Sequence, residues 1–102
     1  MLLSVIIPAY NCEKTIVQAI KSTGVYLNSQ IEVIVVDNGS TDKTEVLIKQ
    51  EAQKNPNIIY AESKKGTSNA RNKGIEKASA KWVTFLDADD CLLNFDKALK
   101  EM

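Results

Sequence analysis

Four short runs of apolar, largely β-branched residues begin near positions 4, 31, 57 and 81, and between them apolar residues recur at helical spacing. No other feature of the sequence limits the choice of fold so strongly. A strand that reads as a continuous apolar run is buried on both faces, and strands joined through helices need crossover connections that lay the helices over a parallel sheet. The alternation predicts an α/β fold of three layers, a four-stranded, mainly parallel sheet with helices on both faces. The units share no sequence motif, so this is not a solenoid repeat. With 102 residues and no linker or low-complexity segment, the chain reads as one domain, long enough to bury a core.

The first run, 3–7, leads into Pro8-Ala9-Tyr10-Asn11. Asn11 is placed to cap a helix with apolar positions Ile16, Val17, Ala19, Ile20 and Val25, and Gly24 loosens its end. The second run, 31–36, closes on Asp37. After Asn38-Gly39-Ser40-Thr41-Asp42 a helix is expected over about 43–54, with Val46, Leu47 and Ile48 as its buried stripe and Pro56 as its stop. Asp42 with Glu45 resembles a capping box, and Thr41 is an equally good cap. A third strand is expected over 58–61, then a helix over about 68–78 that packs closely through Ala70, Gly74, Ile75 and Ala78, then a fourth strand over 81–86. Residues 91–102 read as a weaker amphipathic helix through Leu92, Phe95 and Leu99.

Lys plus Arg equals Asp plus Glu at 13 each, so no global field points to nucleic acid or to an anionic membrane surface. Any charge-based function must be local. No apolar run approaches the ~20 residues of a membrane span, although peripheral contact with a membrane is compatible with the chain. The apolar N-terminus lacks a basic flank and is broken by Pro8, so it reads as a strand and not as a signal peptide. Cys12 and Cys91 are far apart and form no C-x-x-C pair. A reducing compartment fits, and a cytoplasmic location is expected.

Ligands of a parallel sheet bind outside the carboxyl ends of its strands. The loops there are 8–11, 37–42, 62–67 and 87–91, and nearly every unusual residue falls in them. Tyr10 either offers an aromatic face to a flat group such as a base or fills space at the rim. Asp37 either accepts from a base N–H or ribose hydroxyl or bonds the N–H groups of its own loop. Asn38-Gly39-Ser40 is formally a glycosylation sequon, which carries no weight in a chain that reads as cytoplasmic. Lys64, Lys65 and Arg71 place positive charge near a helix N-terminus, where a phosphate is favoured. The two lysines read as solvated, and Arg71, within the first turns of the helix, is the better candidate. Neither Gly-x-Gly-x-x-Gly nor a Walker pattern follows the first run, which disfavours dinucleotide and P-loop readings.

The fourth run ends in Asp87, Asp89 and Asp90, three carboxylates within four residues. An acidic helix start accounts for one or two of them through the helix dipole, but not for three at the end of a strand expected to be buried. Like charges this close repel unless a cation sits among them, and the chain has no histidine. The oxygen-only donor set favours Mg²⁺ or Mn²⁺ shared with substrate phosphates. A metal bridging a diphosphate makes it a better leaving group by neutralising developing charge.

Val5-Ile6-Ile7-Pro8-Ala9-Tyr10-Asn11, Val35-Val36-Asp37-Asn38-Gly39-Ser40-Thr41-Asp42, Gly66-Thr67-Ser68-Asn69-Ala70-Arg71-Asn72-Lys73-Gly74-Ile75 and Phe85-Leu86-Asp87-Ala88-Asp89-Asp90 resemble, in order, the motifs of family 2 glycosyltransferases of the GT-A fold. Together they cover most of the chain, where a lone D-x-D would be a weak signal. The resemblance implies the Rossmann-like half of that fold, strand order 3-2-1-4, and a site for a nucleotide-diphosphate sugar used in polysaccharide biosynthesis. Pro8, Ala9 and Tyr10 would line the base pocket, Asp37 and Asn38 would contact base or ribose, and Arg71 would lie beside the nucleotide. Asp87 and Asp89 would be the D-x-D pair, Asp87 also on the nucleotide and Asp89 the more direct metal ligand. The family often has a second Asp where this chain has Asn38. An Asn both donates and accepts, so the base preference is expected to depart from the usual uridine.

Members of that family carry a further half that binds the acceptor and supplies the general base. This sequence stops at Met102, so a truncated donor-binding domain over 1–102 is expected, without a catalytic base because Asp90 abuts the metal site. An uncovered edge on the fourth strand is then a pairing surface, and self-association is expected. One rival is a non-catalytic module that binds nucleotides or another subunit. The other is a phosphohydrolase, since Asp87-Ala88-Asp89 superficially resembles the haloacid dehalogenase nucleophile pair. That motif opens a first strand and expects Thr or Val where Cys91 stands.

Overall fold

The apolar runs form strands and the periodic stretches form helices. The computed structural model describes residues 1–88 as β1 (Leu3–Ala9), α1 (Ile16–Ser22), β2 (Ile31–Asp37), α2 (Thr44–Lys54), β3 (Ile58–Glu62), α3 (Thr67–Lys77) and β4 (Trp82–Phe85). All pairings are parallel and the strand order is β3-β2-β1-β4, as expected. The chain steps outward from β1 to β3, then returns past both inner strands to add β4 on the far side of β1. Right-handed crossovers in opposite directions put α1 and α2 on one face and α3 on the other. Alternate strand residues feed the two cores accordingly. Val5, Ile7, Val33 and Val35 pack with Ile16, Ile20 and Ile48, and Ile6, Ile34 and Val36 pack with Ala70. Full burial of such a side chain contributes about 1.5–3 kcal/mol.

β1 runs two residues past the expected end, through Pro8. The ring costs no ladder bond there. The Leu86 N–H donates to the Ile6 carbonyl, so Ile6 and, two residues on, Pro8 turn their polar groups toward β4. β4 ends at Phe85, beside Ile6, so Pro8 lacks a donor only where no paired strand remains to receive it. On the other side the Asn38 N–H donates to the Ala9 carbonyl at 2.8 Å, and the β1–β2 ladder closes.

α3 lies close to the sheet because its inward positions are small. A Cβ built on Gly74 would stand 2.2 Å from Cγ2 of Ile6, and Ala70 is fully buried. Ile75, expected on the same face, is instead half exposed, at 52%. Val46 is likewise exposed, because the inward row of α2 is Thr44, Ile48 and Glu51 and position 46 points away from it. Ile48 is fully buried and Leu47 partly so, as expected.

Three other expectations are corrected. Asn11 does not cap α1, which begins five residues later behind Thr15; its backbone turns through φ 46° and its side chain goes to another loop. The capping box is not formed. Asp42 accepts the Thr44 N–H at 2.9 Å, but Glu45 accepts from the Tyr60 hydroxyl instead. β4 is not a buried strand, with Trp82 51%, Val83 42% and Phe85 42% exposed, because it is an edge strand and α3 lies mainly over β1 and β2. The expected metal ligand Asp89, its neighbour Asp90 and the expected helix over 91–102 lie outside the described residues.

β2 carries one polar exception inside its apolar run. Glu32 is 3% exposed and pairs in register with the equally buried Ser4. Its carboxylate accepts from the Ser4 hydroxyl, from the Ser79 N–H at 2.7 Å and from the Ser79 hydroxyl at 2.9 Å, while the Ala80 N–H donates to Ser4 Oγ at 3.1 Å. This cluster ties the α3–β4 connection to the start of the sheet. Burial pushes the Glu32 carboxyl up, but the bonds from Ser4 and Ser79 outweigh it and hold the group below the usual range. Among the described residues no buried side-chain nitrogen or oxygen lacks a partner, and no helix is long and apolar enough to cross a membrane.

Candidate functional site

The neighbours of β1 are reached by connections running in opposite directions, so the carboxyl ends of β1 and β4 flank a topological switch point. Three loops that follow β1, β2 and β3 meet beside it. They are tied by hydrogen bonds between residues far apart in sequence. The Asn11 N–H donates to Ser40 Oγ at 2.9 Å, and the Asn11 amide oxygen accepts the Thr41 N–H at 2.7 Å. The Cys12 N–H donates to Thr44 Oγ1 at 2.9 Å, and Glu13 and Asp42 each accept a backbone N–H from the other's loop. The Ser63 N–H donates to the Asp37 carbonyl at 3.0 Å, and the Ser63 hydroxyl to Asn38 Oδ1 at 3.3 Å. Asn11→Ala should lose about 1–2 kcal/mol, from the positive φ and the lost bond to Thr41. Thermal denaturation beside Asn11→Gly, which retains the conformational freedom, separates the two contributions.

Tyr10, Asn38, Lys65 and Gly66 line a cleft of about 420 Å³ between these loops. Tyr10 is 47% exposed, and the Lys65 ammonium lies 5.5 Å from its ring centre. Pro8 and Ala9, at the end of β1, are not among the residues that line this cleft, and Ala9 is fully buried in the core. Asp37 is 5% exposed and turns into a second hollow, of about 220 Å³, with Gly39, Ser40, Glu45, Glu62 and Ser63. There its Oδ1 accepts the Ser40 N–H at 3.0 Å, the loop-bonding alternative of the two open from sequence. Two residues of this hollow, Glu45 and Glu62, face the Tyr60 hydroxyl at 2.8 and 2.6 Å. Burial and these two carboxylates push the Tyr60 phenol up, and its hydroxyl holds Glu45 below the usual carboxylate range. The hydroxyl of Thr44 does the same for Asp42.

Arg71 does not line the Tyr10 cleft. Its guanidinium lies over Phe85 at 5.5 Å, two residues before the exposed Asp87. Sequence reasoning passed over Lys65 as a solvated lysine, and nothing local marks it apart from Lys64. A larger hollow of about 430 Å³ near α1 and α2 is lined by Lys21, Tyr26, Leu27, Glu51 and Lys54. There Glu51 accepts from the Tyr26 hydroxyl and from the Lys54 ammonium, so its buried polar groups already satisfy one another. Among the described residues no group of three or more His, Cys, Asp or Glu is placed to hold a metal ion. Among the described residues Asp87 is the hard oxygen donor just past the end of β4, a donor type that suits a divalent ion shared with phosphates.

The sequence profile of Glycosyl transferase family 2 matches residues 4–99. An uncharacterized glycosyltransferase of Haemophilus influenzae is 38% identical over 103 residues, covering 99% of this chain and 41% of its own length. The crystal structure of S. aureus TarS 1-349 in complex with UDP superposes with a TM-score of 0.77 at 29% identity, over 99% of this chain and 32% of that one. Glucosyl-3-phosphoglycerate synthase from Mycobacterium tuberculosis, in complex with Mn²⁺, UDP and glucosyl-3-phosphoglycerate, superposes with a TM-score of 0.73 at 26% identity, over 90% of this chain and 36% of that one. The chain thus spans less than half the length of each of these relatives.

Proposed function

The chain belongs to glycosyl transferase family 2, and from that membership we propose that it binds the nucleotide-diphosphate sugar donor of a glycosyl transfer at the carboxyl edge of its sheet. The observation that carries this reading is the convergence of the loops after β1, β2 and β3 around the Tyr10 cleft, beside the switch point where Asp87 leaves β4. Tyr10 supplies a half-exposed ring on which a base stacks. Asn38 lies at the same cleft, its amide oxygen 3.3 Å from the Ser63 hydroxyl, and its NH₂ can donate to a base carbonyl or ribose oxygen. Asp37 holds the turn that presents Asn38 and offers its second oxygen to a ribose hydroxyl. Arg71 and Asp87 lie toward β4, where the diphosphate would follow.

The metal would be held by Asp87 and Asp89 together with the phosphates, and when bound it neutralises charge on the departing diphosphate. Relatives crystallised with UDP and with UDP and Mn²⁺ support the donor class. Titration with UDP, GDP and dTDP, with and without Mn²⁺, should show metal-enhanced binding of at least one of them. Tyr10→Ala should weaken that binding about tenfold, the loss of one base–aromatic stack. Asp87→Asn should abolish most of the metal enhancement. No binding of any of the three, or full affinity in Tyr10→Ala, would sink the proposal.

A further inference from the structure

We propose that Lys65 makes the Tyr10 cleft select phosphorylated nucleotides over bare nucleosides, by covering the ring face until an anionic group draws its ammonium away. This rests on the base site proposed above and concerns what else that site must do. The ammonium lies 5.5 Å from the Tyr10 ring centre. A base stacked on the ring and passing beneath the ammonium needs two contacts of about 3.5 Å, roughly 7 Å in all. The present spacing is too small by about the length of one bond, so the ammonium must move before a base can enter.

The surroundings show which part moves. Asn69 Nδ2 donates to the Lys65 carbonyl at 3.0 Å, and Gly66 turns into α3 with φ 123°, so the backbone is anchored. The stem runs past Gly39, where an added Cβ would meet Lys65 Cγ at 3.4 Å and Cε at 3.8 Å. The stem thus passes within van der Waals reach of the Gly39 backbone. Among the described residues Lys65 makes no ion pair, the two recorded being Lys49–Glu45 and Lys54–Glu51. Its ammonium has the Tyr10 ring as partner and is free to exchange it for a phosphate.

A neutral nucleoside therefore displaces the ammonium and gives nothing back. A cation–π contact at an exposed site corresponds to about two- to fivefold in an equilibrium constant. A nucleoside diphosphate displaces the same contact and returns a charge-assisted bond, worth about tenfold. Lys65 thus works against the base alone and for the base with its phosphates.

NMR titration of the 102-residue chain with uridine and UDP, and with guanosine and GDP, at fixed salt and Mn²⁺, tests this in the wild type, Lys65→Met and Lys65→Arg. Lys65→Met keeps the apolar stem and removes the charge. It should bind the nucleoside two- to fivefold tighter and the diphosphate about two- to fivefold weaker, so that the ratio of the two affinities falls about tenfold, and Lys65→Arg should restore the diphosphate. An unchanged ratio of the two affinities in Lys65→Met, or an equal loss of both, would overturn the role of Lys65 while leaving the base site standing. Absence of nucleotide binding to the wild type would overturn both.

Discussion

Glu32→Gln is expected to lower the unfolding free energy by about 2–3 kcal/mol and the midpoint of thermal unfolding by about 10 °C or more. The side chain keeps its shape but loses its charge. Its NH₂ then turns a donor toward the Ser79 N–H and the Ser4 and Ser79 hydroxyls, which now converge on one carboxylate. A buried donor left without an acceptor carries most of that cost. The acid limb adds a second readout. The folded Glu32 carboxyl is held below its ordinary value, so its contribution is present above the unfolded value, about 4.3 for a glutamate, and is lost as pH falls through the folded value. The loss on mutation should therefore be full near neutrality and shrink as pH falls below about 4. Glu51 and Asp42 are held low as well, so some acid sensitivity should persist in the variant. Equal losses at pH 3 and pH 7, read from urea unfolding, would show that the carboxylate charge contributes nothing. Because Ser4 and Glu32 sit at the starting ends of β1 and β2, nucleotide binding below the melting range should be unchanged.

Gly74→Ala should cost about 2–3 kcal/mol, although alanine is worth about 1 kcal/mol more than glycine inside a helix. The added Cβ would meet Ile6 Cγ2 at 2.2 Å, and also Cγ1 and Cβ of the same residue at 3.1 and 3.2 Å. Ile6 lies on a central strand, fully buried and β-branched, so its side chain has no alternative rotamer into which to retreat. Relief requires α3 to lift from the sheet, which opens the core around Ala70, Ile34 and Val36. Ile6→Ala alone should also destabilise, by about 2–5 kcal/mol, but the double variant should lose less than the sum of the two. Additive losses in chemical denaturation would show that the two residues are not in steric conflict. Ile75→Ala, one position away on an exposed site, should change stability by less than about 0.5 kcal/mol.

The strands, their parallel pairing and the closeness of α3 to the sheet were legible in the sequence, since each follows from a local pattern. Continuous β-branched runs mean strands buried on both faces, and small residues at Ala70 and Gly74 mean a close helix. The loops of the candidate site were legible for the same reason, because the end of each apolar run marks the carboxyl edge where ligands bind. Individual partners were not. Asn11 has the residue type of a cap and acts as a cross-tie to Thr41, thirty positions away. Lys65 reads like Lys64, yet it alone reaches the ring of Tyr10. Glu32 is a single acid in an apolar run, and nothing near it in sequence announces Ser79, 47 residues on.

The continuous apolar runs and the period of 3.6 residues between them were enough to set the class of fold, the element boundaries to within a few residues and the edge of the sheet where the candidate site lies. Strand order and register settled the rest. Placing β4 outside β1 exposed Trp82, Val83 and Phe85 in a run that reads as buried, and the in-register pairing of Ser4 with Glu32 built a polar cluster into an apolar layer. A local pattern specifies which side of an element is apolar, but what that side meets depends on which element lies next to it and at what offset. A slip of one residue along a strand would send every side chain to the opposite face.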